Sequence, residues 1–390
     1  MSVRVLTVVD ALKLGGAETL IAQLGRVSAD AGIDLSVLSL HGRSPERSKL
    51  EPLLRESGVE PEYLGVKRTL DVAGYRRLVA LLRRTRPDVV HAHLEMSMTM
   101  AIPAARRAGI PVVGTFHHVH RPLSGRASGR ERLAVEIATR SDAAIFVSQA
   151  SLDSFAERYR RGRPVPASWT VVHNGIDLDY FTPPPGGGTA PLPADLGVDR
   201  DDGPVVTILA ALRDFKGITH AIDAWPAVLA RQPAARLLLV GSGEQEPALR
   251  AQVDRLGLAE TVIFAGMRSD IPDVLRGSDL TVLPSIYGEN LPTVLMEAGG
   301  CGRPVVASDV GGIADIVADG QTGLLVPPGD AAGLAAAILR LLDDPDLRER
   351  MGRAGRARME QLFDARLWAR SLYAVYQKAI DAHGRVAVTA

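Results

Sequence analysis

Two glutamates, Glu289 and Glu297, stand with seven residues between them in the stretch PSIYGENLPTVLMEAGGCGRPVVASDVGG. The short apolar run before them reads as a buried strand ending at Pro284, and ligands in open α/β sheets sit at the carboxyl ends of strands. A carboxylate pair there can accept hydrogen bonds from vicinal hydroxyls of a sugar or ribose without moving a proton. A helix beginning near Leu291 would add its first free amides, from Leu291 through Pro292 and Thr293 to Val294, as donors to sugar or phosphate oxygens.

A second block, Ala210-Ala211-Leu212-Arg213-Asp214-Phe215-Lys216-Gly217, follows another expected strand. Two cations at a strand end, Arg213 and Lys216, suit a diphosphate. Taken singly, each of these charged residues has a plainer reading as a solvated surface group, the usual fate of Glu, Arg and Lys.

Near the N-terminus, Leu14-Gly15-Gly16-Ala17-Glu18 links the first strand to a helix, and its glycines let backbone approach a ligand closely. Histidines gather in His91-Ala92-His93 and in Gly114-Thr115-Phe116-His117-His118-Val119-His120, both at expected strand ends. A metal site is set aside, since no cysteine or carboxylate completes the usual zinc spacing. Contact with a sugar is preferred. Gly241-Ser242-Gly243 lacks the third glycine of a dinucleotide fingerprint, because position 246 is Glu246.

The elements that must carry these groups are strands and helices in alternation. Val3 to Val9, Leu35 to Leu40, Asp88 to Ala92, Val112 to Phe116, Ala143 to Val147 and Thr170 to Val172 read as buried parallel strands. Between them, Ala17 to Ala31, Gly74 to Arg86 and Gly129 to Arg140 have helical apolar spacing. After Phe181 a proline- and glycine-rich stretch reads as an exposed linker. Alternation resumes with Val205 to Ala210, Arg236 to Val240, Val262 to Phe264, Leu280 to Leu283, Pro304 to Ala307 and Gly323 to Val326.

The class is therefore α/β, with two Rossmann-like parallel-sheet domains facing each other across a cleft. The expected division is 1–180, a linker 181–204, 205–365 and a last helix 366–390 packing back on the first domain. From Ala331 onward the chain should be a group of helices.

Length and composition agree with two cores: 390 residues, 46% hydrophobic, 23% charged and 4% aromatic. The 45 basic and 45 acidic residues cancel, which gives no global field for nucleic acid. The single cysteine, Cys301, excludes an internal disulfide, and no transmembrane run or signal segment is read, so a cytoplasmic protein is expected. Arg121 to Arg132 reads either as a mobile acceptor loop or as a contact with anionic lipid. Tyr75 to Arg86, with Arg76, Arg77, Arg83, Arg84 and Arg86, reads either as a surface helix or as a peripheral contact with the inner face of a membrane.

Pro284-Ser285, Glu289-Asn290-Leu291-Pro292, Glu297-Ala298, Cys301-Gly302, Pro304-Val305-Val306 and Gly311-Gly312 together resemble the signature of glycosyltransferase family 4. The likeness extends from Gly15 to about Gly323. It implies a GT-B fold and retention of anomeric configuration, with no metal or other cofactor. It implies that Glu289 holds donor-sugar hydroxyls, that the amides of Leu291 to Val294 hold sugar and diphosphate oxygens, and that Glu297 grips the ribose. Arg213 and Lys216 would stabilise the departing diphosphate, as would the Gly16 amide. His117 matches the family's Thr-x-His and is implied to touch the donor sugar. Gly15 and His93 fall on the acceptor side, and Met267 and Arg268 beside the base. Val172-His173-Asn174-Gly175-Ile176-Asp177 resembles the family's segment closing the first domain.

The expected activity is transfer of a hexose-type sugar from a nucleotide diphosphate donor, UDP favoured, to a hydroxyl of a small-molecule, glycan or lipid-linked acceptor. Rival readings are a nucleotide-sugar epimerase or glycan phosphorylase of the same fold, and, more remotely, a sugar-binding protein without activity.

Overall fold

A computed structural model describes residues 2–13, 16–68, 71–120, 125–199 and 202–389. The chain forms two compact units, Met1–Gly175 with Ala365–Ala390, and Ile176–Asp364.

The first unit holds seven strands, β1 (Val3–Val9), β2 (Ile33–Ser39), β3 (Glu62–Tyr63), β4 (Val89–His93), β5 (Val112–Phe116), β6 (Ala143–Phe146) and β7 (Trp169–Val171). They lie in the order β3-β2-β1-β4-β5-β6-β7, every pairing parallel. β4, β5 and β6 are buried along their whole length, as expected of strands covered by helices on both faces. The expected strands are present with ends shifted by a residue or two; β3, only two residues long, has no sequence signal.

The final helix, Ala365–Thr389, belongs to this unit. Its Trp368, Ala369, Leu372, Tyr376 and Ala379 pack with Val3, Val5, Leu20 and Leu24 from β1 and the first helix.

The second unit holds β8 (Val205–Leu209), β9 (Arg236–Val240), β10 (Val262–Gly266), β11 (Leu280–Leu283), β12 (Val305–Ser308) and β13 (Gly323–Val326), in the order β10-β9-β8-β11-β12-β13, all parallel. The order reverses at β8, whose neighbours are β9 and β11. That switch point leaves the carboxyl ends of β8 and β11 side by side, the place where such sheets bind ligands.

The proline- and glycine-rich stretch is exposed over residues 185–189, as its composition suggests, but it is anchored on the second unit. Leu192 is buried against Val205, Leu238, Val240 and Val274. The Ala190 amide donates to the Arg276 carbonyl at 2.9 Å, and the Arg303 guanidinium donates to the Gly188 carbonyl at 2.5 Å. Proline and glycine suppress periodicity without preventing burial, so this segment is part of the second unit. The division falls instead at Gly175/Ile176 and at Asp364/Ala365. Ile176 and Asp364 are bridged, and the Ile176 amide donates to the Phe363 carbonyl at 2.8 Å.

Among the described residues, no helix is long and apolar enough to cross a membrane.

Candidate active site

In the second unit, three adjacent strands deliver the key groups. Lys216 ends a 3-10 turn, Asp214–Lys216, shortly after β8. Ser285 and Glu289 follow β11, and Gly311 and Gly312 follow β12. The Lys216 ammonium donates to Glu289 Oε1 at 2.6 Å, and the Ser285 hydroxyl donates to the same oxygen at 2.5 Å. Both charged side chains are largely buried, at 15% and 7% exposure. An ion pair this desolvated needs such extra hydrogen bonds to compensate for lost hydration.

Backbone contacts fix the arrangement. The Ile286 amide donates to the Phe215 carbonyl at 2.9 Å, tying the β8 loop to the β11 loop. Gly217 (φ +64°) leaves no room for a side chain, since a Cβ would lie 2.0 Å from the Pro284 carbonyl oxygen. Gly311 (φ +57°) is tighter: a Cβ there would meet the Glu289 carbonyl oxygen at 1.8 Å. Only glycine permits both the left-handed backbone and the close approach.

The helix after this loop is Thr293–Gly300, two residues later than expected, with Pro292 in an extended conformation at its N-cap. Pro292 has no N–H and cannot serve as a donor. The Leu295 amide is already bonded to the Pro292 carbonyl at 3.2 Å. Thr293 and Val294 are thus the residues whose amides open the helix, and Leu291 is buried before it. Half-buried Glu297 projects from this helix, and burial pushes its carboxyl up to about 7 against a hydrogen bond from Thr293. The adjacent Cys301 is fully buried, which pushes its thiol up to about 12 and leaves it unreactive.

Arg213 is not drawn into this cluster. Its side chain is 57% exposed and lies 3.8 Å from Glu244. Met267 is 76% exposed. Arg268 is held by Asp195 at 2.8 Å and Asp270 at 2.5 Å, so its donors serve ion pairs within the unit.

In the first unit, β4 and β5 lie side by side, with His93 opposite Thr115. His117 follows β5 directly, and its Nε2 lies 2.8 Å from His93 Nδ1, one ring donating to the other. His91 is clamped between the Thr115 hydroxyl at 2.6 Å and the Tyr376 hydroxyl at 2.7 Å. Burial pushes the His91 and His117 imidazoles down to about 3, with a smaller push from His117 on His91 and from His118 on His117. Burial, with a smaller push from His91 and His117, lowers His93 as well, so all three rings are neutral at physiological pH, suited to hydrogen bonding with hydroxyls rather than to neutralising phosphate. Immediately after His93, Leu94 adopts φ +72°, a strained conformation for a side-chain-bearing residue.

Gly16 opens the first helix, Gly16–Ser28, whereas Gly15 lies outside the described residues. Asp10, at the end of β1, escaped the sequence reading. It accepts from the Ser97 amide at 2.7 Å and hydroxyl at 2.5 Å, anchoring the helix Glu95–Ala108 behind the histidines.

Two carboxylates distant in sequence come close to one of the histidines. Glu95, His118 and Glu131 each bring one donor atom within 4.8 Å of the others. Glu131 is also hydrogen-bonded by His120 at 2.5 Å and Tyr159 at 2.6 Å. Burial opposes its charge, but hydrogen bonds from His118, Tyr159 and His120 outweigh it and lower its carboxyl to about 2. The His120 and Tyr159 donors both reach Oε1; Oε2 is buried without a hydrogen-bond partner among the described residues, 3.5 Å from His118 Nε2.

Comparison with known proteins bears on this geometry. Residues 197–358 match the family "Glycosyl transferases group 1", and residues 14–180 match "Glycosyltransferase Family 4". Glycogen synthase of Mycobacterium tuberculosis is 33% identical over 308 residues, covering 76% of this chain and 70% of the relative. The D-inositol 3-phosphate glycosyltransferase of Acidothermus cellulolyticus is 32% identical over 373 residues, covering 87% and 80%.

The chain belongs to the group 1 glycosyltransferases of GT-B fold. Among solved structures, Anabaena Alr3699/HepE in complex with UDP superposes with a TM-score of 0.82 at 25% identity, over 96% of this chain and 99% of that one. A structure of the same Anabaena protein holds UDP and glucose, with a TM-score of 0.78. In this glycosyltransferase the family's glutamate block therefore occupies the switch-point end of the second sheet, around the Lys216–Glu289 pair.

Proposed function

We propose that the enzyme is a retaining, metal-independent hexosyltransferase using a nucleotide diphosphate sugar, with UDP as the nucleotide, and a hydroxyl acceptor. The observation that carries this reading is the Lys216–Glu289 pair at the switch point. An ammonium has three donors, so Lys216 can hold Glu289 and still donate to a diphosphate oxygen. Glu289, with one oxygen on Lys216 and Ser285, keeps lone pairs for donor-sugar hydroxyls. Glu297 accepts the ribose hydroxyls, and the Thr293 and Val294 amides donate to phosphate or sugar oxygens. Arg213, exposed and only loosely paired, is free to swing toward a bound diphosphate.

The reaction breaks the bond between the anomeric carbon and the diphosphate oxygen while the acceptor hydroxyl attacks from the same face. The departing phosphate oxygen takes the acceptor's proton. No carboxylate nucleophile is required, and stabilisation of charge growing on the leaving group is the protein's main contribution. Lys216 supplies that charge without a divalent ion. His117, neutral, offers a hydrogen bond to a sugar hydroxyl.

UDP is favoured because a structural neighbour at 25% identity holds UDP and glucose. The test is a thermal-stability series with UDP, GDP and ADP in EDTA, followed by NMR of the product's anomeric configuration. The reading expects protection by UDP above the others and an anomeric configuration equal to the donor's. Inversion, or an absolute need for magnesium, would overturn it.

A further inference from the structure

In the first unit the helix Gln149–Phe155 runs into one π-helical turn, Ala156–Arg160, which ends on Arg161 at φ +47°. π-Turns inside helices recur at functional sites, and a left-handed non-glycine residue is costly unless its surroundings enforce it. Beside this turn lies a cavity of about 450 Å³ lined by Arg158, Arg160, Arg161 and Arg163, and by Arg132 on the helix Gly125–Ala138.

Five arginines face a single carboxylate in this cavity, that of Glu136. The Arg160 guanidinium is held by the Pro164 carbonyl at 3.1 and 3.2 Å. Among the described residues, the side chains of Arg132, Arg158, Arg161 and Arg163 make no ion pair or hydrogen bond. Trp169 lines the cavity; it is only 6% exposed, and its indole N–H is buried without an acceptor among the described residues. An indole nitrogen only donates, so the partner it lacks is an acceptor. Arginine forks around one space ask for a group rich in anionic oxygens, and phosphate matches the guanidinium fork.

The cavity is separate from the proposed donor site. Trp169 opens β7 and pairs with Ala144 near the amino end of β6, whereas His93 and His117 lie at the carboxyl ends of β4 and β5. The volume falls within the range of small-molecule pockets.

We propose that this arginine cavity binds a phosphate or diphosphate group, carried either by a small soluble molecule or by a lipid headgroup. The test uses the untagged full chain saturated with UDP, so that the donor site is filled, at matched ionic strength. Pyrophosphate is titrated calorimetrically into wild type, Arg158→Gln/Arg163→Gln and Trp169→Phe. In parallel, vesicles of phosphatidylglycerol and of phosphatidylcholine are sedimented with wild type and the double variant.

The proposal expects pyrophosphate or phosphatidylglycerol vesicles to bind wild type, with at least a tenfold loss in the double variant and a smaller loss in Trp169→Phe. Binding of pyrophosphate alone assigns a soluble ligand, and binding of the anionic vesicles alone a headgroup. No binding of either probe to wild type, or equal binding by the double variant, overturns it. Both substituted arginines are exposed, so UDP binding by the double variant serves as the check on folding.

Discussion

The Lys216 ammonium lies 2.6 Å from Glu289 Oε1 although the two stand 73 positions apart in the chain. Adjacency of β8 and β11 in the sheet makes the contact, and the Ile286-to-Phe215 backbone bond holds it. Removing one partner of such a desolvated pair strands the other. Lys216→Ala should therefore lose about 3 kcal/mol of stability. It should also slow transfer by about 10²–10³-fold, the usual cost of deleting a group that stabilises leaving-group charge. Chemical denaturation and initial-rate measurements read the two effects; an unchanged rate would remove Lys216 from the mechanism.

Gly311→Ala should separate sugar binding from nucleotide binding. Its Cβ would collide with the Glu289 carbonyl at 1.8 Å, so the Glu289 loop must move while Glu297 stays on its helix. Calorimetry should show UDP bound nearly as in wild type and the extra affinity for UDP-glucose lost. Equal losses for both ligands would show that the loop and the helix move together.

Glu297 should make nucleotide binding depend on pH. Its carboxyl is raised by burial to about 7, and only the ionised form accepts two ribose hydroxyls. Binding of UDP should tighten as pH rises from 6 to 8, with proton release visible as a buffer-dependent heat. The same shift contributes to stability: the contribution is complete below about 4.5, the unfolded value, and is lost as pH rises through about 7. Glu297→Gln should flatten both profiles.

Tyr376→Phe should loosen the last helix. The Tyr376 hydroxyl is bonded to buried His91 at 2.7 Å, and its removal leaves a buried ring nitrogen unsatisfied, costing about 1–3 kcal/mol. Limited proteolysis should cut within Ala365–Thr389 sooner than in wild type. Acid should destabilise the same unit, because His91 and His117 titrate near 6.5 when unfolded but at about 3 when folded. The stability they contribute is present above about 6.5 and is lost as pH falls through about 3.

Much of this was legible in the sequence because parallel strands buried on both faces are continuous apolar runs, as Val112–Phe116 and Leu280–Leu283 show. The glutamate block was legible because its chemistry is local: Ser285, Glu289 and Glu297 lie within one loop and helix. Groups that meet through the fold were not. Asp10 with Ser97, His91 with Tyr376, and Glu131 with His120 join separate elements, and no spacing reports them. The helix Glu95–Ala108 is obscured by Pro103 in its interior, and the start of Thr293–Gly300 is set by Pro292, two residues beyond the point expected. Composition also gave no sign that Leu192 is buried, because that burial depends on a partner surface far along the chain.

The switch-point end of the second unit should bind a nucleoside diphosphate through protein groups alone. Calorimetric titration of UDP in EDTA, into wild type and Glu297→Ala, measures this. Wild type should bind, with at least a tenfold loss in the variant, about 1.4 kcal/mol. Binding that requires a divalent ion, or that is equally strong in Glu297→Ala, would contradict it.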